Sequence, residues 1–326
     1  MIKIDNYFSL LACPICKNKL EITFSKGNVV CTSCKQAYPL LNGIIDFLSN
    51  IPEADPELIK VIEANQKVHN IVGPVYECDP LVRQQFSQNS INRLREVLLE
   101  CVSQSCAKNP ILIDIGTGTG LALDCSKNIA GKTVGFDVSR GMLEVAYKKG
   151  HAVHIASGSH LPLASEVADL VTIDSVLHHC YDIAPVISEA YRVLKPGGFL
   201  VTDWDPNEKT ASIQRRPFFR SLLWIAKHVR YFIKRWKINV SIESFELAEY
   251  HRFHDEFIPD VIADILRKKG FKNIRTICHA NQQSIHDLSF FSAPMTYKAR
   301  VLILMLLGFT MKKNEVYDIL MTISQK

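Results

Sequence analysis

Four cysteines stand in two identical spacings, Cys13-x2-Cys16 and Cys31-x2-Cys34, with fourteen residues between the pairs. Thiolates three positions apart converge on one cation, and four of them complete a tetrahedral shell. The spacing therefore predicts a Zn²⁺ site that is structural, with no position left open for water or substrate. A second constellation follows near residue 115. Gly116, Gly118 and Gly120 link the apolar run ILIDI to a helix-like LALDC, and Asp137 ends the next apolar run, 23 residues after Asp114. Glycines let backbone approach a ligand closely, the following helix offers free N–H groups, and an acid after the second strand suits a pair of ribose hydroxyls. Together they predict a site for a cofactor built on an adenine nucleoside.

Other residues are weaker candidates. Asp174 ends the run DLVTID (169–174) at the crevice where open α/β sheets bind ligands, and His178 and His179 follow at once. Any of the three is a candidate catalytic group, and packing is the alternative reading of the histidines. Asp169, which opens that run, is expected to cap backbone groups. Tyr191-x3-Lys195 has the spacing of a short-chain dehydrogenase pair, but Lys195 runs into Pro196-Gly197-Gly198, a helix end, so an NAD oxidoreductase is disfavoured.

The elements that must position these residues are legible as a rhythm. EITF (21–24) and NVV (28–30) read as short strands around the cysteines. IPEADPELIK (51–60) reads as a linker into a helix, and residues 81–106 as a helix with Leu94, Val97, Leu98 and Val102 on one side. From residue 110 strand and helix alternate. ILIDIG, TVGFDVS (133–139), HAVHIA (151–156), DLVTID and GFLVTDW (198–204) are strands. Residues 121–130, 141–150 and 183–195 are helices. That alternation implies a parallel sheet covered on both faces.

The 326 residues suffice for about two domains, and 47% hydrophobic with 22% charged residues excludes global disorder. No run approaches the ~18 apolar residues of a spanning helix, and MIKIDNYFSL lacks the pattern of a signal peptide. A cytoplasmic protein is expected. The formal net charge of +5 is concentrated: nine basic residues and no acidic one lie between Lys209 and Lys237, leaving −4 on the remainder. On a helical wheel Arg220, Lys227, Arg230, Lys234 and Lys237 fall within about 60° of Arg216, opposite Phe218, Leu222, Ile225, Val229, Phe232 and Trp236. An amphipathic helix over 216–237 is expected, either a lid with a solvated basic face, a peripheral contact with anionic lipid, or a phosphate-backbone contact.

The wider pattern resembles class I S-adenosylmethionine-dependent methyltransferases of the ubiquinone/menaquinone type. The residues that carry it are DIGTGTG (114–120), GFDVS (135–139), SGSHLPL (157–163), DLVTIDSVLHH (169–179) and RVLKPGGFLVTDWD (192–205). The resemblance implies a seven-stranded Rossmann-like sheet, closed antiparallel by residues 255–280 and 284–294. It implies that Asp114 and the loop of Gly116, Thr117, Gly118 and Gly120 hold the methionine end of the cofactor, and Asp174 is a further cofactor-binding candidate. Asp137 would take the ribose hydroxyls, Val138 and Met142 would lie near adenine, and Ser157 and Gly158 beside its edge. Ser157 stands where the family has an acid. CPICKNKL and CTSCKQAYPLLNGIIDFL, with Cys13-Pro14, Tyr38-Pro39 and Asn42-Gly43-Ile44, resemble the Trm112-like zinc ribbons, whose free-standing members are partner subunits of methyltransferases.

The expected organisation is a zinc ribbon (1–48), a helical linker (49–108), a methyltransferase domain (109–295) with a helical insertion or lid (207–254), and a helical tail (296–326). The expected function is methyl transfer from S-adenosyl-L-methionine to a small, apolar acceptor. RNA, reached through ribbon and basic helix, is the second reading, and a non-catalytic cofactor-binding partner subunit the third.

Overall fold

A computed structural model describes residues 7–23, 27–49, 55–79, 82–207, 241–250, 259–280, 283–288, 293, 295, 298–299, 302 and 319–326. The basic segment 216–237 lies outside these residues.

The N-terminal unit is an antiparallel meander of β1 (Leu20–Thr23), β2 (Asn28–Cys31), β3 (Ala37–Leu41) and β4 (Ile44–Ile45). Leu41 pairs with Ile44, so Asn42-Gly43 is a two-residue hairpin loop, and both residues take positive φ, 54° and 83°. That is the twist an Asn-Gly turn favours. Gly43 also admits the Tyr147 hydroxyl against its Cα, where a side chain would clash.

Two helices follow. Asp55 caps α1 (Pro56–Val72) by accepting from the Glu57 amide, and Pro56 sits in its first turn. Ser87 caps α2 (Gln88–Ser105) in the same way through the Ser90 amide. A seven-stranded sheet then forms in the order β10-β11-β9-β8-β5-β6-β7. Its parallel part is β5 (Ile111–Ile115), β6 (Lys132–Asp137), β7 (Val153–Ile155), β8 (Ala168–Asp174) and β9 (Leu194–Pro206). The helices α3 (Leu121–Cys125), α4 (Arg140–Lys148) and α5 (Ile183–Val193) connect them. The central strands are buried on both faces, which is why they read as unbroken apolar runs. α6 (Ile242–Ala248) and α7 (Pro259–Lys269) precede β10 (Lys272–His279) and β11 (Ile319–Gln325), which close the sheet antiparallel.

The structure corrects five expectations. The last strand is Ile319–Gln325, not 284–294, so the helical tail over 296–326 fails in its final residues. ILMTI is a short apolar run, and periodicity alone does not separate a buried strand from a buried helix. Its pairing with Phe199–Pro206 decides the matter. The helix expected over 183–195 ends at Val193, and β9 begins at Leu194, paired with Ala168. Lys195 there points to Asp169, 2.9 Å away, far from any dehydrogenase role. Finally, the helices expected over 121–130 and 81–106 cover only Leu121–Cys125 and Gln88–Ser105. Among the described residues no helix is long and apolar enough to cross a membrane.

The ribbon is fastened to the sheet's free edge. Asp46 bridges Ile155 of β7 in parallel, the Phe47 amide donates to the Ile155 carbonyl at 2.9 Å, and Leu11 bridges Leu163. An edge strand that would otherwise present unpaired backbone groups is thereby covered. Tyr38, Ile45 and Phe47 enter the same apolar core as Ile113, Val134 and Phe136.

Candidate active site

The loop after β5 is held from three sides. The amides of Gly116 and Thr117 donate to the Phe136 carbonyl at 2.7 and 3.0 Å, locking the turn against β6. The Asp137 carboxylate accepts from the amides of Gly118, at 2.9 Å, and Ser139, at 2.8 Å. Asp114 is buried beneath, and its two oxygens accept from the hydroxyls of Thr172, at 2.6 Å, and Thr117. Asp114 thus braces the loop. Gly118 has φ +53° and a side chain there would meet nothing, so this backbone faces open space, whereas one at Gly116 would strike Val176. Gly120 (φ +94°) starts α3 and abuts His151.

The open space is one cavity at the C-terminal ends of β5, β6 and β8, of about 1130 Å³ with its mouth. Its floor is Asp114, Gly116, Thr117, Gly118, Asp137, Val138, Met142, Ser157, Gly158 and Asp174, so the structure gathers every sequence-derived cofactor residue except Gly120. His179 lines it and His178 does not. Asp169 accepts from the Ile111 amide at 2.9 Å, a backbone cap as expected.

The roof is a part of the site that sequence reasoning missed. Leu58, Val61, Ile62, Asn65 and His69 of α1, with Tyr76, Gln85 and Phe86, cover the cavity. The Gln66 amide donates to the Val138 carbonyl at 3.1 Å, and Asn70 Oδ1 accepts from the Ser139 hydroxyl and the Gly141 amide. A signal existed: Val61, Ala64, Asn65, Val68 and Val72 form one buried stripe, and a buried Asn on such a stripe marks a functional or capped position. Also missed was Arg93, buried on α2 and paired with Asp203 at 3.3 Å, with His279 Nε2 at 2.7 Å from the same carboxylate.

Electrostatically the cavity is acidic. Among the described residues that line it there is no Lys or Arg, while Asp114, Asp137, Asp174 and Asp182 are present. Burial pushes the Asp114 carboxyl up to about 6, against the two threonine hydroxyls that favour its charged form. Burial also raises Asp174 well above the usual carboxylate range, helped by Asp203 and Asp114. Burial acts on Asp203 too, but Arg93 and His279 hold it below its ordinary value, so the charge of this pair resides there. Asp174 Oδ1 and Thr119 Oγ1, both on cavity residues, are buried atoms with no hydrogen-bond partner among the described residues. Buried polar atoms are rarely left so. A ligand carrying donors and positive charge satisfies Asp174. The site fits S-adenosylmethionine, with its ammonium, sulfonium and ribose hydroxyls, better than a dinucleotide pyrophosphate.

The four cysteines also come together. Cys13 and Cys34 sulfurs are 3.7 Å apart and Cys16 and Cys31 sulfurs 3.4 Å, and Tyr38 Oη lies 3.1 Å from Cys13. Sulfurs about 2.3 Å from one tetrahedral ion lie about 3.8 Å from each other, so the cluster is compatible with a bound metal.

A mixed α/β sheet, parallel at its centre, with a cavity at its switch point is the frame of the site. Residues 113–202 match the methyltransferase domain family, and residues 8–43 match the Trm112p-like protein family. It is similar to demethylmenaquinone methyltransferase of Lactiplantibacillus plantarum, 31% identical over 42% of this chain and 63% of that protein. It is also similar to the tRNA (carboxymethyluridine(34)-5-O)-methyltransferase of Arabidopsis thaliana, 30% identical over 34% of this chain and 28% of that protein. Among solved structures, a SAM-dependent methyltransferase from Thermotoga maritima is 17% identical, with 80% of this chain and 99% of that chain covered and a TM-score of 0.46. The chain thus spans less than two thirds of these two curated relatives.

Proposed function

We propose that the protein is an S-adenosylmethionine-dependent methyltransferase whose acceptor is a small, largely apolar molecule. The observation that carries the acceptor class is the cavity wall: Leu58, Val61, Ile62, Tyr76 and Phe86 of the roof, with Tyr181 and Val186, are apolar, and there is no lysine or arginine among the described lining residues. A polynucleotide acceptor needs cations along its phosphates, while small-molecule sites are concave and mostly apolar with few polar groups.

In this reading Asp137 takes the ribose hydroxyls, Val138 and Met142 flank adenine, and Ser157 with Gly158 lies at its edge. The Gly118 and Thr119 segment receives the methionine carboxylate, Asp174 its ammonium, and Asp114 holds the loop from beneath. The cofactor supplies an electrophilic methyl. The chain's work is to align an acceptor under α1 and exclude water, which is worth several kcal/mol without any base. Cys13, Cys16, Cys31 and Cys34 hold one structural Zn²⁺, which gives folding energy to a unit with little core of its own. None of the ten cysteines is joined in a disulfide among the described residues, and a four-thiolate zinc site suits a reducing compartment such as the cytoplasm.

The test is methyl transfer from S-adenosyl-[methyl-³H]methionine into extracts of the source cell. Label in the organic-extractable small-molecule fraction is expected. Label confined to RNA overturns the acceptor class, and failure of S-adenosylhomocysteine to bind in calorimetry overturns the reading as a whole.

A further inference from the structure

Beyond the ribbon, a second group of metal-ligating side chains meets at the edge of the cavity. A ring nitrogen from His178, one from His179 and a carboxylate oxygen of Glu249 all lie within 4.8 Å of one another. They come from two separate elements. The histidines form a short turn after β8, Leu177–His179, and Glu249 ends α6. Phe245 and Ala248 of α6 pack on Ala64 and Val68 of α1, and this contact carries Glu249 over the histidine turn. The two imidazoles lie against each other, tilted by 38° with centroids 4.0 Å apart.

The hydrogen bonds of the histidines set their tautomers. His178 Nδ1 lies 2.9 Å from an Asp205 carboxylate oxygen, and His179 Nδ1 contacts the Ala248 carbonyl. Carboxylate and carbonyl oxygens only accept, so both rings carry a proton on Nδ1, which leaves Nε2 as the nitrogen that could ligate. A histidine whose far nitrogen donates to a carboxylate or a carbonyl is the arrangement that orients imidazole toward a metal and raises its basicity. Two histidines and a glutamate are a known three-ligand set for zinc and its neighbours, and they leave the fourth position open.

We propose that His178, His179 and Glu249 bind a divalent transition cation, oriented by Asp205 and the Ala248 carbonyl, at the acceptor end of the cavity. His179 lines the cavity, so the open position faces it. The ligand completing the shell is an oxygen: water in the resting protein, and a hydroxyl or enol oxygen of the acceptor in use. The role at the acceptor rests on the methyltransferase reading above. The cation site itself does not.

The test uses the full chain with its ribbon intact and Co²⁺ as the probe. Cobalt on four thiolates gives intense near-ultraviolet charge-transfer bands, whereas cobalt on nitrogen and oxygen gives only weak visible bands. We expect a second equivalent of Co²⁺ with the weak spectrum, lost in both His179→Gln and Glu249→Gln while the thiolate bands persist, which also shows that the variants fold. Asp205→Asn is expected to weaken that equivalent about 10–100-fold. Binding of a single, thiolate-type equivalent overturns the proposal, as does a second equivalent that survives both substitutions. Calorimetry with S-adenosylhomocysteine on the same samples separates the two ideas. Binding of S-adenosylhomocysteine without the second cobalt defeats the cation site alone, and the reverse defeats the methyltransferase reading alone.

Discussion

The Ile45 amide at the end of the ribbon donates to His154 Nδ1, 3.1 Å away on the edge strand of the large sheet. The imidazole is fully buried between Tyr7, Phe47 and Phe136, and accepting that bond forces it to be neutral, with its proton on Nε2. One side chain therefore joins the two domains only in its uncharged form.

This relationship makes stability depend on pH. Burial lowers the His154 pKa to about 3, against 6.5 in an exposed histidine. Between those values the unfolded chain binds the extra proton, so stability present above about 6.5 is lost as pH falls toward 3, at about 1.4 kcal/mol per pH unit for this group. Urea unfolding at pH 7 and pH 5.5 is expected to show this slope, and His154→Gln to reduce it by about that amount. An unchanged slope in the variant would refute the assignment.

Asp137 is expected to contribute about 1.5–3 kcal/mol to S-adenosylhomocysteine binding, the worth of charge-assisted hydrogen bonds. Asp137→Ala also frees the Gly118 and Ser139 amides, so Asp137→Asn is the cleaner comparison. Calorimetry with equal affinity in all three proteins would contradict the role.

Asp174 is held protonated to higher pH than an ordinary carboxyl by burial and by Asp203 and Asp114. A cationic ligand favours its charged form, so S-adenosylhomocysteine binding is expected to release up to one proton and to weaken as pH falls. Calorimetry in two buffers of different ionisation enthalpy measures the release. Asp174→Asn should abolish it, and persistence in that variant would assign the proton elsewhere.

Leu58 stands on the roof above the site, half-buried. Leu58→Trp is expected to raise KM for the acceptor by about tenfold or more through overpacking, while S-adenosylhomocysteine affinity stays within about twofold. Equal loss of both would place Leu58 against the cofactor instead.

Zinc removal is expected to act on the whole chain. Beyond the edge-strand contacts, Lys17, next to Cys16, donates to the Leu161 carbonyl and pairs with Glu189 at 3.1 Å, so ribbon and sheet melt together. Metal analysis should find zinc on the four cysteines, and chelation should lower the midpoint of one cooperative transition. Two separate transitions in the chelated protein would show that the ribbon only decorates the fold.

Residues local in sequence were legible as such. The cysteine pairs, the glycine loop and Asp137 lie on contiguous strand–turn–helix text, where period and turn chemistry act within about twenty residues. What required the tertiary structure was long-range. Ile319–Gln325 is a strand because Phe199–Pro206 and Lys272–His279 lie on either side of it. The segment expected as a linker roofs the cavity because the buried stripe of α1 finds α6 and the loop after β6. His178 and His179 meet different surroundings although they are adjacent, since His178 Nδ1 pairs with Asp205 and His179 lines the cavity. No local pattern carries such facts, since each depends on which distant surface a side chain meets after the chain has closed its sheet.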